Sequence, residues 1–178
     1  MSKKELVQNF FIEVPVSIYE RRVIAFFGEP NVFREQAEGF FDDPEEWVDT
    51  CRGVENCGGF CIGMMDDSGP FELVFINATI DRSLHDMVIW HECLHATIDI
   101  LGGIGSAITL QEQEPAAYLQ GFIATRIINE IEKQQKDAKD QKKRTQKRDK
   151  SAKARNARVI TSTMRKRHTV QHSAMMEA

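Results

Sequence analysis

No stretch of the sequence approaches the roughly 18 consecutive apolar residues that a membrane-spanning helix requires, so no such span is expected. The opening segment MSKKELVQNFFIEVPV lacks both an apolar run long enough for a secretory leader and a small-residue cleavage site. A cytoplasmic setting is therefore expected. Cysteine is scarce: Cys51, Cys57, Cys61 and Cys93 suit reduced thiols in that setting better than a disulfide framework. Histidine numbers only five, which sharpens any clustering among them. Residues 132–178 contain no Phe, Tyr or Trp, so they offer no platform on which bases could stack.

What is present divides sharply along the chain. At 178 residues with 42% apolar content, the sequence suffices for one folded domain and an appendage. Residues 1–131 hold 8 Lys+Arg against 22 Asp+Glu, and residues 132–178 hold 15 against 5, giving a body of −14 and a tail of +10. An acidic domain over 1–131 with a basic, polar tail over 132–178 is expected. The tail loses the apolar stripe after Ile131 and is read as a solvated helix or a disordered arm.

Residues 11–28 mix β-branched and aromatic residues and predict one long strand or two short ones, ended by Glu29-Pro30-Asn31. A helix follows from Val32 to about Cys51, interrupted near Pro44. GFCIGMM (59–65) and FELVFINATI (71–80) flank the turn-forming Asp66-Asp67-Ser68-Gly69-Pro70 and predict an antiparallel hairpin. Ser83, three residues before Asp86, reads as the start of a helix that stops at Gly102-Gly103. Its Met87, Val88, Ile89, Leu94, Ile98 and Leu101 form an apolar stripe expected to seat it on the hairpin. Pro115 marks the first turn of another helix, apolar at Tyr118, Leu119, Phe122, Ile123, Ile127, Ile128 and Ile131. The predicted fold is α+β: a small, mainly antiparallel sheet packed against the first of these helices and a second, antiparallel helix, with the basic tail beyond.

The first helix carries His91-Glu92-Cys93-Leu94-His95, an HExxH sequence. Four residues of helix advance about 6 Å and slightly more than one turn, so both imidazoles face the same way and reach one Zn²⁺ together. Glu92, turned slightly aside, is suited to take a proton from water as general base rather than to bind the metal. A catalytic zinc needs a third protein ligand. Glu114 is the first choice, nineteen residues after His95 across a glycine-containing loop. Glu112 is the nearest rival and Asp99, four residues after His95, another, although Asp99 as a ligand would need a helix bend and is better suited to orienting one.

The stretch FELVFINATIDRSLHDMVIWHECLHATIDILGGIG followed by QEQEPAAYLQGFIATRI resembles the small phage- and prophage-encoded metallopeptidase-like proteins of the gluzincin type. There an apolar strand leads into the HExxH helix, and a later E-x-x-A-Y segment opens the next. Glu114-Pro115-Ala116-Ala117-Tyr118 matches that second motif position by position. The resemblance implies Glu114 as third ligand, a peptide or protein substrate, a host-cell cytoplasm, and a role for Tyr118 as hydrogen-bond donor to the oxyanion formed during hydrolysis.

Other residues carry weaker readings. Cys57-Gly-Gly-Phe-Cys61 has no second cysteine pair at metal-binding spacing and reads as structural, and Cys93 as a packed side chain. His168 and His172 share the i, i+4 spacing in a polar tail without a glutamate, and His85 sits six residues before the motif as a proton-relay candidate. A reading from another class is a catalytically silent, zinc-stabilised binding or assembly protein whose basic tail contacts nucleic acid or an acidic partner.

Overall fold

A computed structural model of the protein describes the backbone of residues 8–41, 44–106, 108–109 and 113–174, and their side chains except at 44, 46, 49, 51 and 149–174. The chain divides into two units, Met1–Lys133 and Gln134–Ala178. The first contains a four-stranded sheet built from β1 (Phe10–Val16), β2 (Arg21–Gly28), β3 (Gly59–Asp66) and β4 (Gly69–Asn77), in the order β1-β2-β4-β3. Two pairings are antiparallel, and β2 with β4 is parallel. The fold is α+β.

Residues 11–28 form two strands rather than one because the chain reverses at Ser17–Tyr19, a 3-10 turn closed by Glu20 in the left-handed region (φ 52°). In β1 the residues Ile12, Val14 and Val16 are buried and alternate with exposed Phe11, Glu13 and Pro15, as at a sheet edge. Proline is tolerated there because an edge strand can spare an N–H. β2 and β4 are central, and from Val23 and Phe71 onward their residues are buried on both faces. The parallel pairing of β2 and β4 is possible because helical segments intervene: α1 (Pro30–Ala37), a 3-10 turn (Glu38–Phe40) and α2 (Pro44–Val54).

Strand alternation sorts the core into two layers. Ile24, Phe26, Phe71, Leu73 and Phe75 pack with Phe33 and Ala37 of α1 and Val54 of α2. Val23, Ala25, Phe27, Val74 and Ile76 face α3 (His85–Gly103) and α4 (Glu114–Ala174), whose Leu119, Ile123, Ala124, Ile127 and Ile131 enter the same core. The basic segment continues as α4 in the second unit. Among the described residues no helix is long and apolar enough to cross a membrane.

The stripe that seats α3 differs from the sequence expectation. Val88, Ile89 and Leu101 are buried, together with Cys93, Ala96 and Ile100, whereas Met87, Leu94 and Ile98 are exposed along with Trp90. The helix is apolar on nearly every side, so spacing alone did not distinguish the face that small Cys93 and Ala96 allow against the sheet. Ser83 also plays a different part from the one expected. The side chain of Asp81 accepts hydrogen bonds from Ser83 N (2.9 Å) and Ser83 Oγ (2.8 Å), which makes Asp81 the cap of the turn leading into α3.

Candidate metal centre

The second and third turns of α3 carry His91, Glu92 and His95, whose ligand atoms lie within 4.8 Å of one another. The Nε2 atoms of His91 and His95 are 3.2 Å apart. Two nitrogens bound to one tetrahedral zinc at about 2.0–2.1 Å stand about 3.3–3.4 Å apart, so the imidazole pair fits such an ion with a shift of a few tenths of an ångström. Both histidines are exposed, and Glu92 beside them is only 5% exposed. Burial pushes the Glu92 carboxyl above its ordinary value, against the opposing pull of His91 and His95. A carboxylate with raised proton affinity beside an open imidazole pair is suited to accept a proton from water.

Glu92 reaches this position through a pair of glycines that the sequence reading passed over. A Cβ at Gly59 would stand 2.9 Å from Glu92 Cγ, 2.7 Å from Val88 Cγ1 and 2.7 Å from the Phe75 carbonyl oxygen. One at Gly58 would stand 3.0 Å from Val88 Cγ2. The two glycines let α3 lie directly on the start of β3. Asn77 fixes that strand start: its N–H donates to Gly58 O at 2.8 Å and its Nδ2 to Cys57 O at 3.1 Å. In the sequence the Gly-Gly inside Cys57–Cys61 is the visible clue to this close approach.

Glu114 stands exposed in the first turn of α4 and does not join the His91–Glu92–His95 group. α4 is tied to α3 nearby, where Gln120 Nε2 donates to the Trp90 carbonyl oxygen at 3.0 Å, one residue before His91. Tyr118 is 76% exposed and is therefore not a core residue. Asp99 belongs to a different group, with Cys61 and Glu72. Glu112 lies outside the described residues, as do the side chains of Cys51, His168 and His172.

Cys93 is fully buried, its thiol pushed up to about 12 chiefly by burial, and it serves packing. Cys57, Cys61 and Cys93 are free thiols. His85 lies edge-on against Phe27, with ring centroids 5.4 Å apart, and its buried Nε2 has no hydrogen-bond partner. A cavity of about 500 Å³ opens beside Asp99, Glu72 and Arg21. The chain matches no family model, no curated protein and no solved structure, so the centre is characterised by its own geometry.

Proposed function

We propose that the protein is a zinc-dependent metallopeptidase whose ion is held by His91, His95 and Glu114 and whose general base is Glu92. One observation carries this reading: two imidazole nitrogens 3.2 Å apart on one helix, with the buried Glu92 carboxylate in the same group. Bound there, zinc supplies Lewis acidity, polarising a peptide carbonyl and acidifying a water. Glu92 takes the water's proton as the new C–O bond forms, and returns a proton to the amine as the C–N bond breaks.

Glu114 as third ligand rests on the likeness of its E-x-x-A-Y segment to the gluzincin-type motif, for it stands outside the His91–Glu92–His95 group; of its rivals, Asp99 is drawn into a separate group with Cys61 and Glu72. We assign oxyanion stabilisation to Tyr118, because an exposed hydroxyl is available to a substrate and one spent in the core is not. A peptide or protein is the substrate class. The free thiols support a reducing cytoplasm, and the likeness of the two motifs to phage-encoded gluzincin-type proteins supports that of a phage's host. The test is Glu92→Gln: zinc is retained and peptide hydrolysis falls at least about 10²-fold. A variant that keeps zinc and full activity removes the assigned base.

The basic segment favours a second reading. Residues 132–178 carry 15 Lys+Arg against 5 Asp+Glu on a helix that runs to Ala174. On this reading the zinc centre is silent and stabilises a binding protein whose helix meets nucleic acid or an acidic partner. Salt-sensitive binding without cleavage of any tested protein distinguishes it from the peptidase.

A further inference from the structure

We propose that Cys61, Glu72 and Asp99 form a second metal site, for a thiophilic divalent transition metal of the zinc type, independent of the His91–His95 centre. The three residues come from β3, β4 and α3, and their ligand atoms lie within 4.8 Å of one another. The sheet register brings the first two together. Gly63 is paired with Glu72 and Cys61 with Val74, so Cys61 and Glu72 are diagonal neighbours on the face that meets α3. Asp99 is one turn beyond His95, about 6 Å along the same helix.

Glu72 is the feature that packing leaves unexplained. It is 5% exposed, and its Oε2 is buried without a hydrogen-bond partner. A carboxylate oxygen stripped of water and given no donor is costly to keep. Glu72 is not sealed in, however, for with Asp99 it forms part of the wall of the 500 Å³ cavity. The cross-strand neighbour Gly63 brings no side chain against that oxygen, where a Cβ would press on Glu72 Oε2 at 3.3 Å. Arg21 lies on the same wall, yet its guanidinium makes no hydrogen bond to that oxygen. An unpartnered buried oxygen, a second carboxylate and a thiol therefore converge where a small cation can enter.

The donor set selects the ion. Magnesium and calcium prefer all-oxygen surroundings, whereas a thiolate with carboxylates suits zinc, at about 2.3 Å from sulfur and 2.0–2.2 Å from oxygen. Burial and the neighbouring Asp99 push the Glu72 carboxyl up to about 7, so on binding the Cys61 proton and any proton held by Glu72 leave to solvent as the sulfur–metal and oxygen–metal bonds form. The dication and the nearby Arg21 guanidinium then balance the thiolate and the two carboxylates.

Cobalt(II) provides the test because only a sulfur-ligated ion gives a thiolate-to-cobalt charge-transfer band in the near ultraviolet. The full-length chain carrying His91→Ala and His95→Ala, which lacks the first centre, is titrated with cobalt and then with zinc. The expected result is one bound cobalt with that band, displaced by zinc. Cys61→Ser abolishes the band, Cys57→Ser leaves it, and Glu72→Gln and Asp99→Asn each weaken cobalt binding at least about tenfold. Melting of each metal-free variant establishes that it is folded, and Glu72→Gln preserves the side-chain shape. A band that survives Cys61→Ser, or no band in a cooperatively folded parent, overturns the proposal.

Discussion

Gly59 and Glu92 are locked in register: a single methyl group added at Gly59 would stand 2.9 Å from Glu92 Cγ and 2.7 Å from the Phe75 carbonyl oxygen. The side chain can yield, but the strand carbonyl cannot without moving the sheet. Gly59→Ala therefore destabilises the protein by about 1–3 kcal/mol, as overpacking does. It also lowers hydrolysis more than it lowers zinc content, because Glu92 moves and the histidines lie on the outer side of the helix. Denaturant melts, zinc analysis and a peptide assay together check this, and a variant matching the wild type in all three refutes it.

The face of α3 that meets the sheet can be read from paired substitutions. Ile100 is fully buried, and Ile100→Ala is expected to cost about 2–5 kcal/mol. Met87 is 61% exposed, so Met87→Gln stays within about 0.5 kcal/mol of wild type. Comparable losses at both positions would mean that the helix is rolled about its axis.

His85 gives the acid side of the stability profile a defined contribution. Burial against Phe27 holds its imidazole below the ordinary value, helped by Arg82 and opposed by the Ile80 backbone hydrogen bond and by Asp86 and Asp81. The unfolded chain then binds this proton more readily than the folded one. Stability from this group is complete above about pH 6.5 and is lost as pH falls through the depressed folded value. His85→Gln is expected to flatten unfolding free energy against pH in that window. An unchanged slope would show that the ring titrates alike in both states.

The basic end of α4 is expected to act separately from the zinc centre. Among the described residues Ile131 is the last buried apolar residue of the helix, and the first unit ends at Lys133. A chain ending at Lys133 should melt cooperatively and keep its zinc. If the arm neutralises phosphates, the full chain binds a DNA duplex with an affinity that falls steeply with salt, and the shortened chain loses that binding. Equal binding by both would clear the arm of this role.

The juxtaposition of His91 and His95 was legible because HExxH is a local pattern: once Leu94 and its neighbours form a helix, the two imidazoles must share a side, whereas Glu114, proposed as third ligand, does not join their group. The 59–80 hairpin was legible for the same reason, with Asp66–Pro70 between two apolar runs. The parallel pairing of β2 with β4 was not, because register such as Val23 with Glu72 joins residues separated by two helices and a strand. The face of α3 was misjudged where Met87, Leu94 and Ile98 competed with Ile89, Cys93 and Ile100, and only tertiary packing decides between two apolar stripes. Cys61 with Glu72 and Asp99 was invisible because it unites three elements that no short spacing connects.

The central claim is one zinc ion held between His91 and His95. Elemental analysis of untagged, zinc-reconstituted protein, wild type against His95→Ala, tests it directly. The account predicts that the variant contains one zinc per chain fewer while the Cys61–Glu72–Asp99 site keeps its own. Identical zinc content in the two proteins, or none in the wild type, would contradict it.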